Sequence, residues 1–137
     1  EETPVSFYLG RCDPPREDSG EPSYLCLRDE AGRVLHIFRE FECLWGCPRP
    51  DAPEGCCHRE HVKIEVGRHS LRLVAVGKYP FYLCGSGFRE VRELEVRAGE
   101  RVFISIAGLR RLASGDRATE VGGRVTEVRP CVEVAVV

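Results

Sequence analysis

Apolar side chains recur at every second position through much of this chain. Val5, Phe7 and Leu9 alternate with Ser6 and Tyr8, and Val62, Ile64 and Val66 alternate with Lys63 and Glu65. Leu71, Leu73 and Ala75 share one parity, as do Val102, Ile104 and Ile106, and Val132, Val134 and Val136. A two-residue period is the mark of β-strands with one face buried. Turn chemistry separates the runs. Asp29-Glu30-Ala31-Gly32 divides a strand over 23–28 from one over 33–42. Gly67-Arg68-His69 and Arg97-Ala98-Gly99-Glu100 are each short enough to close a hairpin, and Gly85-Ser86-Gly87 and Gly122-Gly123 mark further breaks. About eight or nine short strands at this spacing predict an all-β fold, an antiparallel β-sandwich or barrel-like sheet. The one helical signal is a short turn over Leu109–Ala113, stopped by Ser114-Gly115.

Length adds one constraint: 137 residues suit a single domain, taken as 1–137, with a modest core. The segments 13–22 and 48–55, rich in Pro and Gly, read as exposed loops too short to link domains. A net charge of −2, with basic and acidic residues interleaved from Arg89 to Arg101, gives no stripe for nucleic acid. No apolar run reaches transmembrane length. Lys63 and Lys78 are the only lysines among many arginines, a bias expected of a GC-rich bacterial source. The opening Glu1-Glu2-Thr3-Pro4 reads as a mature start after signal cleavage or as a trimmed end.

Cysteine changes the picture most. Cys12, Cys26, Cys43, Cys47, Cys56, Cys57, Cys84 and Cys131 make an even set, dense for the length. Such a set reads as a disulfide framework in a secreted, periplasmic or cell-surface protein. About 105 full pairings exist for eight cysteines, and sequence does not choose among them. Adjacent Cys56 and Cys57 are expected to take different partners, because a bridge between neighbours is strained. A local knot over 43–57 would leave Cys12, Cys26, Cys84 and Cys131 as long-range staples. The rival reading is a zinc-type site built from Cys43, Cys47, Cys56, Cys57, His58 and His61, although this spacing matches no common zinc module. Blue copper is disfavoured because the chain has no methionine for the weak axial position.

Three further stretches carry a family resemblance: Gly67-Arg68-His69-Ser70-Leu71-Arg72-Leu73, Gly77-Lys78-Tyr79, and Leu94-Glu95-Val96-Arg97-Ala98-Gly99-Glu100-Arg101-Val102. Over residues 62–109 the chain resembles bacterial PEGA-type modules, which have a Gly-x-His strand, a Gly-aromatic turn and a final hairpin with a Gly-Glu turn. The aromatic stands one place later after Gly77 than in that family, and a cysteine-rich loop replaces its short opening hairpin. The resemblance implies an immunoglobulin-like or PEGA-like β-sandwich in a bacterial cell envelope, used for attachment or assembly, and it brings no catalytic residues.

Catalytic signatures are correspondingly thin. A nucleophilic thiol must be free and of lowered pKa, which an even count in an oxidising compartment opposes. Ser86 in Gly85-Ser86-Gly87 does not form the Gly-x-Ser-x-Gly elbow. No phosphate loop is present, His36 and His69 read as structural or surface histidines, and no cofactor is implied. Two aromatic clusters stand out as binding candidates. Trp45 lies between Leu44 and Gly46 and near Arg49, a hot-spot composition on a rigid loop. Tyr79, Phe81 and Tyr82 crowd a second turn that ends in Cys84. The expected activity is therefore non-enzymatic recognition of a protein or cell-envelope component. A metal-binding domain and a disulfide-stapled protease inhibitor are the alternatives.

Overall fold

The computed structural model describes residues 5–12, 23–43, 58–85, 87–106, 109–111, 117–121, 124–129 and 131–136. Among them there is no helix, and the strands form two antiparallel sheets with a further hairpin. The larger sheet contains β1 (Val5–Cys12), β2 (Ser23–Arg28), β3 (Val34–Cys43), β4 (Val62–Val66), β5 (Ser70–Ala75), β8 (Glu93–Arg97) and β10 (Leu109–Arg111), in the order β10-β3-β2-β1-β4-β5-β8. The smaller holds β6 (Phe81–Cys84), β7 (Phe88–Val91), β9 (Arg101–Ser105) and β13 (Val132–Ala135), in the order β13-β9-β6-β7. β11 (Arg117–Val121) and β12 (Arg124–Arg129) pair with each other, with Val121 opposite Arg124.

The period-two pattern becomes a sandwich because both sheets turn an apolar parity inward. Leu9, Leu25, Val62, Leu73 and Val96 from the large sheet meet Phe81 and Ile104 from the small one, with Phe41 and Ile106 completing the cluster. Burying each of the larger side chains is worth about 1.5–3 kcal/mol relative to exposure. The polar parity faces outward and is laced with ion pairs. Arg72 lies 3.4 Å from Glu65 and 2.5 Å from Glu93, and Arg101 lies 2.7 Å from Glu133. These exposed pairs add little stability each.

The Asp29–Gly32 signal does close the β2–β3 hairpin. Asp29 Oδ1 accepts from the amides of Ala31 and Arg33 at 3.0 and 2.9 Å, and Gly32 turns the chain at φ +86°. That conformation favours glycine because a Cβ would clash with backbone.

Two sequence expectations are corrected. Arg97–Glu100 does not close a hairpin: β8 pairs with β5, whereas β9 pairs with β6 and β13. The turn is a corner between sheets, and its backbone bonds run to other elements. The amide of Ala98 donates to His69 O at 2.9 Å and that of Gly99 to Val136 O at 3.3 Å. Leu109–Arg111 is a strand rather than a helical turn, pairing with Phe41–Cys43. The register of β2 on β3 jumps from Tyr24–Glu42 to Leu25–Phe38, a bulge after which the end of β3 stays paired with the start of β2, while β10 takes the opposite edge of β3.

Candidate functional site

Segment 58–61 crosses the outer face of β1, and one glycine permits it. A Cβ on Gly10 would fall 2.1 Å from Arg59 O and 2.5 Å from His58 O. This approach lets Arg11 N donate to His58 O at 2.8 Å and His61 N to Leu9 O at 3.1 Å. Arg28 clamps the crossing, donating to Arg59 O at 2.8 Å and to Arg11 O at 2.9 Å.

The crossing delivers a ring stack. His58 lies over His61 with centroids 5.5 Å apart and over Tyr79 at 5.2 Å. His61 is fully buried. Its Nδ1 accepts from the His58 amide at 3.1 Å, so Nε2 carries the proton and donates to Pro80 O at 3.0 Å. Burial holds the imidazole below the ordinary histidine pKa; the Pro80 bond opposes this, and the charges of His58 and Arg92 reinforce it. Arg92, at the kink between β7 and β8, ties down the neighbouring turn by donating to Gly77 O at 2.5 Å and Lys78 O at 3.1 Å.

This geometry bears on one member of the zinc-type set. Both ring nitrogens of His61 are committed inside the fold, so His61 is structural and leaves the candidate ligands. Among the described residues no group of three His, Cys, Asp or Glu side chains could hold a metal. Cys47, Cys56 and Cys57 lie outside the described residues, as do Trp45, Leu44 and Arg49.

The second aromatic cluster divides. Phe81 is fully buried and Tyr82 is 4% exposed, so neither is displayed to a partner. Phe81 belongs to the inter-sheet core. Tyr79 is half-buried, with its ring covered by His58.

Register sorts the described cysteines by face, since residues opposite one another in an antiparallel ladder share a side. Cys43 lies opposite Ser23 and belongs to the core cluster. Cys26 lies opposite Gly10, and Cys12 opposite Tyr24, placing both on the outer face where segment 58–61 crosses. Burial pushes the Cys26 thiol up to about 12, against the pull of Arg28 and with help from its hydrogen bond to Cys12. Cys26 is therefore a protonated thiol at neutral pH and no nucleophile. Cys84, at the end of β6, and Cys131, just before β13, approach each other to 2.5 Å.

Beside Cys84 the end of the small sheet opens into a groove of about 510 Å³, lined by Leu83, Phe88, Val102 and Phe103 with Arg89 and Arg101. No sequence signal singled it out, because its residues come from three strands and one turn. Comparison with protein-family models, with curated proteins and with solved structures finds no match for this chain.

Proposed function

We propose that this protein is a non-enzymatic binding or assembly module working outside the cytoplasm, in a bacterial cell envelope or secreted, with disulfides rigidifying a β-sandwich. The approach of Cys84 and Cys131 carries the reading. Their approach to 2.5 Å, between residues 47 apart in sequence and buried to 8% and 6% exposure, supports a crosslink from β6 to the segment that enters β13. Persistent bridges of this kind belong to oxidising compartments. Closing a loop of that length typically stabilises a domain by about 2–4 kcal/mol. The partner is a protein or cell-envelope component rather than nucleic acid, consistent with the interleaved charges on the outer faces. Among the described residues no helix is long and apolar enough to cross a membrane.

Intact mass without reductant, paired with thiol alkylation, tests the proposal. Each closed bridge lowers the mass by about 2 Da and protects two thiols from alkylation. A peptide map should recover Cys84 joined to Cys131. Full alkylation of both residues in protein prepared under oxidising conditions would remove the basis for an extracytoplasmic module. Stoichiometric metal with reduced thiols would favour the metal-binding alternative instead.

A further inference from the structure

We propose that the groove at the end of β6, β7 and β9 docks an acidic peptide segment, laid beside the β7 edge with a carboxylate on Arg89; this rests on the binding-module reading above. By register Phe88 and Phe103 share one face of the sheet with Arg101, while Arg89 shares the other with Leu83 and Val102; among the described residues the lining holds no carboxylate. Its volume of about 510 Å³ falls within the usual range for a ligand pocket and is ample for one or two apolar side chains.

Arg89 supplies the charge argument. Several other described guanidinium groups are matched: Arg72 lies on Glu65 and Glu93, Arg97 on Glu95, Arg92 on backbone carbonyls, and Arg39 over the Tyr24 ring. Arg89 is exposed and has neither an ion pair nor a hydrogen bond among the described residues. Arg101, also in the lining, already holds Glu133 at 2.7 Å and contributes a weaker attraction.

The peptide character comes from the sheet. Among the described residues β7 is an edge strand with only β6 beside it, so its far side presents backbone groups to an added strand. A second copy of this chain fits poorly. Antiparallel pairing about a two-fold axis requires opposed residues of equal parity, so centring it within β7 on Arg89 or Glu90 sets like charge against like. A strand carrying glutamates and apolar residues alternately has neither conflict: its carboxylate meets Arg89 while its apolar parity enters the groove.

The test is fluorescence anisotropy of the oxidised full chain with a labelled octapeptide of alternating glutamate and valine, against its glutamine–valine counterpart. Saturable binding is expected for the glutamate peptide. Affinity should fall roughly 10-fold with the glutamine peptide or with Arg89→Gln, the loss expected for one charge-assisted contact, and less with Arg101→Gln. Arg89 is exposed, so Arg89→Gln should leave the melting temperature unchanged and the loss readable as binding. Equal titrations for the two peptides, indifference to Arg89→Gln, or concentration-dependent dimerisation through β7 in place of peptide binding would overturn the proposal. Thiol mass on the same sample separates the two levels: closed bridges with no peptide binding sink the groove alone, whereas open thiols sink the module reading.

Discussion

Replacing Gly10 by alanine tests the close crossing of segment 58–61 over β1. The new methyl would sit 2.1 Å from Arg59 O, 2.5 Å from Arg59 C and 2.5 Å from His58 O. All three atoms are backbone, so no flexible side chain can swing aside. Reaching even 3.0 Å requires a separation of at least 0.9 Å more at Arg59 O. That shift strains the bonds from Arg11 N to His58 O and from His61 N to Leu9 O, and it pulls Arg59 O from Arg28. Overpacking of this kind costs about 2 kcal/mol, and weakening one or two of the bonds adds about 1–2 kcal/mol. Alanine recovers about 0.5–1 kcal/mol because glycine is a poor strand residue. The net loss is about 3 kcal/mol. For 137 residues this corresponds to a fall of about 10 °C in Tm. Urea denaturation of wild type and Gly10→Ala measures it, with Gly85→Ala as the control, since nothing lies within 4 Å of a Cβ built there. A Gly10→Ala loss below about 1 kcal/mol, or equal to that of Gly85→Ala, would show that segment 58–61 does not pack on β1 as described.

Two further substitutions probe the ring stack and the core. Because burial lowers the His61 pKa in the fold, the unfolded chain binds the extra proton first as pH falls. Stability should therefore be full above the ordinary histidine value and decline as pH drops below about 6.5, levelling once the folded state also protonates. His61→Gln, which can still accept and donate, should remove that part of the Tm decline between about pH 7 and 5; an unchanged slope would deny His61 the role. Phe81→Ala should cost about 3–5 kcal/mol, and Tyr79→Ala no more than about 1.5 kcal/mol, because one fills the core and the other stacks at its margin. Similar losses from the two in chemical denaturation would contradict the division of that aromatic cluster.

The strands were legible where one face is buried and the other wet. Val62, Ile64 and Val66 alternate with Lys63 and Glu65, and β4 lies where that pattern places it. β6 escaped notice because Phe81 and Tyr82 are both buried, so its parity carries no contrast in hydropathy. β7, with Phe88 and Val91 bracketing Arg89 and Glu90, lacks alternation for a different reason: it is an edge strand. Turn chemistry was legible as bending and silent about destination. Asp29–Gly32 and Arg97–Glu100 look alike in sequence, yet one joins neighbours in a sheet and the other carries the chain between sheets. The difference lies in β5 and β6, distant strands that claim β8 and β9 before these can pair with each other.

The same limit governs the sites, because a pattern read along the chain cannot register what meets across it. Cys26 and Cys43 carry the same thiol, yet the register jump between β2 and β3 leaves one on the outer face beside Cys12 and the other in the core. Cys84 and Cys131 meet although β9 stands between β6 and β13, a contact that no pattern along the chain announces. His61 looks like a metal ligand by its nearness to Cys56, Cys57 and His58, and folding spends both its nitrogens on the backbone. The groove inverts that case. Phe88 and Phe103 are unremarkable along the chain, and Arg89 is one arginine among many. Three strands make them a feature by bringing two guanidinium groups and several apolar side chains to one end of the sheet, with no carboxylate among the described lining residues. Residue type proposes the chemistry at each of these places; the sheet decides which side chains are left available to perform it.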